Sequence, residues 1–395
     1  MTIADDARAL HEHLLRLRHD LHTEPEIGLT LTRTQHKLLQ ALHDLPLEIS
    51  TGARATSITA VLRGARPGPT VLLRADMDAL ALHEHGDAGR ISRFPGRMHA
   101  CGHDMHATML AGAARLLSDR RRTLHGNVIF MFQPGEEGHA GARIMIEEGV
   151  LDAAGTRPAA AYSLHVVSAG IPRGVFVTRA GCIMAGRTVL TVTVRGAGGH
   201  AALPHLAKDP LPAACRMVTA LSTIRLPRQA PVTVSAADFH AGTTHNVIAD
   251  RARFSVTIRS PSPRLQRQAQ DHAVRLLRDI AAAHDLDVDI AAASTYPPTV
   301  NAEHEGAFVH AVARDLYGQE RTALAAQPSM AAEDFSFVLE EIPGAVTVLG
   351  ACPADRDPGR APANHSPHAA FDDAVLTDGA AMYAELAARR TALPA

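Results

Sequence analysis

Tryptophan is absent from the 395 residues, and Phe and Tyr together supply 4% of them. A pocket lined by aromatic rings therefore draws on a small set of side chains. Cysteine occurs four times, at Cys101, Cys182, Cys215 and Cys352. Thiols so few and scattered in a long chain argue against a disulfide framework and for a reducing compartment. Lysine occurs twice, at Lys37 and Lys208; the other basic residues are Arg, a bias of base composition rather than of function. No run of eighteen or more apolar residues exists, so no membrane-spanning segment is expected. The formal net charge is −2 and the pI near 6.9, which leaves no electrostatic case for nucleic acid or an anionic membrane. The opening Met-Thr-Ile-Ala-Asp-Asp lacks the basic start and apolar run of a secretory leader, and the expectation is a cytoplasmic protein.

What is present is ordinary globular composition, 46% hydrophobic and 20% charged. The length exceeds one comfortable core, so two domains are expected. One stretch stands out, Met98-His99-Ala100-Cys101-Gly102-His103-Asp104-Met105-His106. A thiol, imidazoles and a carboxylate within nine residues make a metal-ligand cluster. A stable site takes three or four protein ligands, so distant residues must complete it. Glu136-Glu137 and the His365-Ser366-Pro367 turn are the candidates that stand out.

Taken in order, residues 5–22 carry leucines at helical spacing and end before Pro25. A second helix covers about 32–44. Ser57–Arg63 reads as a strand, Gly64–Pro69 as a turn, and Thr70–Arg74 as a strand buried on both faces, delivering Asp76 and Asp78 at its carboxyl end. His106–Leu117 follows as a helix, Asn127–Phe132 as a buried strand ending at Gln133 to Gly138, and Ala159–Ser163 as a strand leading to His165. This is the rhythm of an α/β layer fold, whose sites collect at the carboxyl ends of strands. From about Gly186 the pattern becomes strand (Val189–Arg195), helix (Asp209–Ile224), strand (Val232–Phe239), strand (Phe254–Arg259), helix (Arg264–Ala283), strand (Leu286–Ile290). That is the split-βαβ order of a separate small domain, with Thr295 to Pro298 as its exit. Helix Ala307–Leu316, strand Val346–Leu349 and helix Asp372–Arg390 return to the first style, so the small domain is expected as an insertion.

Each candidate residue has a plainer alternative. Cys101 and His103 suit zinc or a similar divalent ion, and the thiolate can bridge two ions; a buried Cys beside solvated histidines is the competing reading. Of Glu136 and Glu137, in a loop bounded by Gly, one can bind metal while the other takes a proton from an activated water; a solvated acidic loop is the alternative. With 24 His in the chain, most must be structural. His165 is favoured by its strand end and His365 by its turn. His200, behind Gly198-Gly199, can approach a ligand closely and stabilise an oxyanion; a surface turn fits equally well. Arg259 can clamp a carboxylate, although a lone Arg is usually a surface residue.

Together these segments resemble the metal-dependent amidohydrolases that include hippurate hydrolase, bacterial aminoacylases and plant auxin-conjugate hydrolases, distant kin of carboxypeptidase G. The matches are His22 to Glu26, Leu73 to Leu80, Met98 to His106, Gln133 to Gly138, Gly199 to His205, Asn246-Val247-Ile248, Glu333 to Ser336 and His365-Ser366-Pro367. They run in family order over almost the whole chain. The resemblance implies a zinc-peptidase-like α/β catalytic domain (1–186 and 297–395) with an inserted ferredoxin-like (βαββαβ) lid and dimerisation domain (187–296). It implies two divalent ions (zinc, manganese or cobalt) on Cys101, His103, Glu137, His165 and His365, with Cys101 bridging. Glu136 would be general base and acid, His200 would polarise the scissile carbonyl, often from the partner subunit, Asn246 and Arg259 would hold the substrate carboxylate, and Asp78 would orient a ligand. The implied activity is hydrolysis of N-acyl amino acids by a homodimer, or by a tetramer. Alternatives are a dipeptidase or N-acetyl-diamino-acid deacetylase with the same mechanism, and a non-catalytic metal-binding dimer. Ala81 and Ala249 stand where the family usually has Pro, Ala369 where an aromatic is frequent, and His83–Arg97 departs from the pattern. These departures bear on substrate preference, and the scarcity of aromatics favours an aliphatic acyl site.

Overall fold

Val, Ile, Leu and Phe crowd the segments 58–63, 70–76 and 125–133, and these become strands with almost every side chain buried. The structure is a computed structural model that describes residues 2–86, 91–224 and 232–393. Residues 87–90 of the divergent segment His83–Arg97 lie outside the described residues. The chain divides into two units, one of Met1–Ile183, Val300–Gln327 and Asp334–Ala395, the other of Met184–Thr299 and Pro328–Glu333.

The first unit is built on a mixed sheet of eight strands: β1 (Leu47–Thr51), β2 (Ile58–Arg63), β3 (Arg66–Asp76), β4 (His125–Gln133), β5 (Ala160–Val167), β6 (Phe176–Thr178), β7 (Thr322–Leu324) and β8 (Gly344–Gly350). Their spatial order is β1-β2-β4-β3-β5-β8-β6-β7. The centre is parallel, because β3 pairs in parallel with both β4 and β5, and β5 with β8. Four carboxyl ends therefore lie along one edge, where loops of an α/β sheet gather a site. Strands β1, β2 and β6 run antiparallel to their inward neighbours. Alternate residues of β3 (Val71, Leu73, Ala75) join one apolar cluster with Leu110 and Leu117 of helix His103–Asp119 and with Ala380, Met382 and Ala387 of helix Leu376–Thr391. The period of two along a strand explains that division of faces.

Several boundaries differ from the expectation. The first helix is two, Ile3–Ala9 and His11–His22, broken at Leu10; a Thr2–Asp5 capping box fixes the start of the first. The expected turn Gly64–Pro69 is shorter, since β3 already starts at Arg66. The helix after the Cys/His stretch starts at His103, three residues early, because Gly102 adopts φ +83° and turns the chain into it. The final helix begins at Leu376, after a 3₁₀ turn over Asp373–Val375. The short elements β1, β6 and β7 and helix Gly141–Glu147 carry too few periodic residues to be legible in advance.

The second unit has strands in the order Thr233–Ala241, Arg251–Ser260, Gly186–Arg195, Asp287–Tyr296, all neighbours antiparallel. Helices Leu211–Leu221 and Pro263–Ala283 cover one face, with Leu190, Val192, Val194, Phe254, Val256 and Ile258 buried against Met217, Ala273 and Leu277. Ser262 caps the longer helix and Pro263 occupies its first position. The last strand extends to Tyr296, so Thr295 and Tyr296 belong to the sheet rather than to an exit segment. Among the described residues no helix is long and apolar enough to cross a membrane.

Helix Leu376–Thr391 is tied to the central sheet by one hydroxyl. Buried Tyr383 donates to Arg74 O (2.7 Å) and accepts from Leu164 N (2.8 Å). Tyr383→Phe leaves both main-chain groups unsatisfied and is expected to lower stability by about 1–3 kcal/mol, read as a lower midpoint in urea denaturation with an unchanged slope.

Candidate metal centre

The cluster is assembled from loops at the carboxyl edge of β3, β4, β5 and β8. The left-handed Gly102 separates Cys101 from His103; a Cβ there would stand 2.5 Å from Val166 Cγ2, so only glycine fits. His103, in the first helical turn, gives Nδ1 to the carbonyl of Asp78 at 2.8 Å. That contact fixes a proton on Nδ1 and turns Nε2 away from the carbonyl. His103 Nε2 is buried and has no hydrogen-bond partner. His165, two residues from the end of β5, likewise places Nδ1 on Val166 O (2.8 Å) and presents Nε2 3.5 Å from Cys101 Sγ. His365 Nε2 lies 3.3 Å from Cys101 Sγ and 3.0 Å from Glu137 Oε1.

The Glu pair follows Gly135, another left-handed glycine. Asp78 governs this loop: its two carboxylate oxygens accept from the backbone nitrogens of Glu136 (3.0 Å) and Glu137 (3.1 Å). Asp78 thus reaches His103 through its carbonyl and both glutamates through its carboxylate. Glu136 is buried, and its Oε1 accepts from Asp334 N at 3.4 Å.

The donor atoms of Cys101, His103 and His165 lie within 4.8 Å of one another, as do those of Cys101, Glu137 and His365, and those of His103, Glu136 and Glu137. The first two sets share the Cys101 sulfur. Asp76, His103 and His106 are also close, but that set is already engaged. His106 uses Nδ1 on Asp76 Oδ1 (2.6 Å) and accepts from Val166 N on Nε2 (2.8 Å), while Arg74 Nη1 sits 2.8 Å from the other Asp76 oxygen. His99 and Asp104 point elsewhere. Burial pushes His99 down to about 4, so it is neutral, and Asp104 accepts from His22 Nδ1 (2.7 Å) and pairs with Arg18 (3.1 Å).

Beneath the cluster, Asp334 accepts from Arg74 Nη2 (2.9 Å), Gln133 Nε2 (2.8 Å) and Ala142 N (3.0 Å). Asp76, His106, Asp334 and Asn364 carry no assignment from the sequence. Asp76, His106 and Asp334 all sit in segments already singled out, but nothing in the order of residues signals that Asp334 would meet Arg74, 260 positions away.

The charges point to a cation. Burial would raise the Cys101 thiol, yet the imidazoles of His165 and His103 hold it well below the usual thiol range. Burial would lower His103, but Asp76 and the Cys101 sulfur push it well above the usual imidazole value. Burial raises Glu137. Hydrogen bonds to Cys101 and Glu137 push His365 up to about 10. Protons stand where positive ions would otherwise be required. A buried, unpartnered imidazole nitrogen, a shared thiolate and flanking carboxylates fit divalent transition ions.

The remaining candidates lie in the second unit. His200 and Asn246 are neighbours, since Gly199–His200 pairs with Val247–Ile248 and Ala201 N donates to Asn246 O (3.1 Å). Both line a polar concavity of about 1000 Å³ with Thr193, Arg195, Arg251 and Arg253. Arg259 stands at the far end of the same strand, six residues from Arg253 and so roughly 20 Å away, and donates to Met330 O at 2.9 Å. The structure does not bring Arg259 together with Asn246 within this unit.

A mixed α/β sheet with thiolate, imidazole and carboxylate donors along its carboxyl edge defines a metal-dependent hydrolase. Residues 72–389 match the family model described as peptidase family M20/M25/M40. Thermostable carboxypeptidase 1 of Saccharolobus solfataricus is 33% identical, over 98% of either chain. An IAA-amino acid hydrolase of Arabidopsis thaliana is 34% identical over 95% of this chain and 86% of its own. N-acetylcysteine deacetylase of Bacillus subtilis is 30% identical over 96% and 97%. The solved structure of a dinuclear metal-binding peptidase of the M20 family from Bacillus subtilis superposes with a TM-score of 0.80 at 30% identity, covering 98% of this chain and 99% of that one. The chain belongs to peptidase family M20/M25/M40 and is a metal-dependent hydrolase of amide bonds with a site for two divalent ions.

An ion taken by His365 would displace the ring's proton, since hydrogen bonds to Cys101 and Glu137 push that imidazole up to about 10. Affinity is therefore expected to rise with pH through the neutral range, by roughly tenfold per unit for each proton released. Titration calorimetry of the metal-free protein with Mn²⁺ in buffers of different ionisation enthalpy should show net proton release at pH 7.

Proposed function

We propose that this protein hydrolyses the amide bond of N-acyl amino acids, giving a carboxylic acid and a free amino acid. The observation that carries the reading is the Glu136–Glu137 loop, whose two backbone nitrogens are bracketed by Asp78 beside the Cys101 cluster. The activities for which the plant IAA-amino acid hydrolase and the bacterial N-acetylcysteine deacetylase are named support the substrate class.

In this reading Cys101, His103, Glu137, His165 and His365 hold the ions, with Cys101 shared between them. Bound divalent ions supply a Lewis acid for the carbonyl oxygen and lower the pKa of water to near 7. Glu136 removes a proton from the attacking water as the new C–O bond forms. It then delivers that proton to the amide nitrogen as the C–N bond breaks. His103 and His165 keep their Nε2 atoms toward the cluster because their Nδ1 protons are fixed on main-chain carbonyls. Asp78 holds the loop that carries both glutamates, so base and ligand keep a fixed separation.

The second unit is read as a ferredoxin-like lid of about residues 187–296, with the remainder, 1–186 and 297–395, as the catalytic domain. The four-stranded order with two helices on one face supports that assignment. His200 polarises the substrate carbonyl, and Asn246 and Arg259 hold the substrate carboxylate. Asn246 lines the concavity at the Arg253 end of strand Arg251–Ser260 and Arg259 stands toward its other end, so a single carboxylate held by both would draw on two chains, which supports a homodimer. The exposed apolar side chains of Leu203, Leu206, Leu211, Phe239 and Val247 in this unit support association as well.

A second reading, the same chemistry on a dipeptide, is favoured by the carboxypeptidase relative. Hippurate, N-acetyl amino acids and dipeptides, each assayed with zinc, manganese and cobalt, separate the two. N-acyl amino acids are expected to give the highest kcat/KM. Glu136→Gln is expected to keep both ions but lower kcat by a factor of at least 10²; wild-type turnover in that variant refutes the assignment. Mixing a His200→Ala chain with a Glu136→Gln chain, each inactive alone, should restore part of the activity if His200 acts across a dimer.

A further inference from the structure

The chemistry above makes no use of Asn364, yet its carboxamide joins three parts of the metal centre. Nδ2 donates to Val166 O at 3.0 Å and Cys101 O at 3.2 Å, and lies 3.8 Å from Cys101 Sγ. Oδ1 accepts from Ser168 N at 2.9 Å and lies 3.1 Å from the Ser168 hydroxyl, which is also 2.8 Å from Pro362 O. The orientation is dictated by its neighbours. Rotating the amide by half a turn would set its oxygen against two carbonyls and its NH₂ against an N–H.

The next residue, His365, adopts φ +68°, a left-handed conformation that a side chain with a Cβ rarely takes. Its backbone nitrogen donates to Ala100 O at 2.9 Å. The strained turn is thus fastened to the Cys101 loop by its own nitrogen and by the preceding carboxamide. The same carboxamide grips Val166 and Ser168, which flank the end of β5 just past His165. Three of the residues read as ligands, Cys101, His165 and His365, are therefore kept in register by one side chain that ligates nothing.

Nδ2 has two N–H groups, so the one that reaches Cys101 O is shared with Cys101 Sγ at 3.8 Å, and this shared contact has a separate effect. A hydrogen bond to a thiolate withdraws electron density from it and weakens it as a donor. We propose that Asn364 is a positioning residue for the shared Cys101 thiolate: it sets the spacing of Cys101, His165 and His365 and tunes the donor strength of the sulfur. The binding of the ion on the Cys101–Glu137–His365 side depends on it more than that of the other. This inference rests on the reading in which Cys101 bridges two ions.

The test uses the full chain freed of metal and titrated with Co²⁺. Wild type is expected to bind two ions and to develop a sulfur-to-cobalt charge-transfer band in the near ultraviolet. Fewer than two ions, or no such band, overturns the bridging reading itself and not the role of Asn364 in particular. Asn364→Leu, close in shape but without donor or acceptor, is expected to bind one ion near normally. Its second ion should bind at least tenfold more weakly, and its charge-transfer band should move to longer wavelength. Asn364→Ser is a smaller perturbation, expected to shift the band in the same direction even if the leucine variant fails to fold. Ser168→Ala, which removes only a hydroxyl from the far side of the amide, should leave the band unmoved. A simply structural role would lower thermal stability and weaken both ions alike. Equal weakening, or an unshifted band in every folded variant, would overturn the proposal.

Discussion

Burying many acidic groups in one small volume is the constraint from which the rest of the catalytic unit follows. Asp76, Asp78, Cys101, Asp104, Glu136 and Asp334 are all withdrawn from water, and an uncompensated buried charge is costly. Four of them have specific partners: Arg74 lies between Asp76 and Asp334, Arg18 and His22 face Asp104, and two backbone N–H groups meet Asp78. Around Cys101, Glu137 and His103 the donor atoms face one another instead, which is where a cation would be stabilised.

Part of this was legible from the order of residues. Cys101, His103, Glu136, Glu137, His165 and His365 were singled out by chemical type and by their positions after buried strands, and the structure gathers all six. Parallel pairing explains why: β3, β4, β5 and β8 end on one edge, so residues spread from 76 to 365 meet. The supporting atoms were harder to foresee. The Asp78 bracket depends on two backbone nitrogens, and main-chain groups leave no trace in composition. Asn364 and Asp334 each gather several contacts from distant parts of the fold, which periodicity does not encode. His106 shows the opposite error that proximity invites. It sits beside the ligands in sequence and space, yet both of its nitrogens are occupied.

In the smaller unit, Gly186–Arg195 and Arg251–Ser260 alternate buried and less buried residues because one side of the sheet packs on helices. The last strand runs past its expected end through a register shift between Ala292 and Ser294. Arg259 is set apart from the concavity that Asn246 lines because it stands at the other end of strand Arg251–Ser260 from Arg251 and Arg253, a distance that the order of residues does not announce.

Strand β8 lies inside the large sheet, between β5 and β6, although most of the second unit separates it from both in sequence. While translation proceeds through the smaller unit, the emerging polypeptide already contains Cys101, His103, Glu137 and His165 but has a gap in its sheet where β8 will sit. His365 follows later still. Strand β8 and His365 thus both follow the smaller unit, and a chain cut before β8 lacks that strand together with one of the proposed donors.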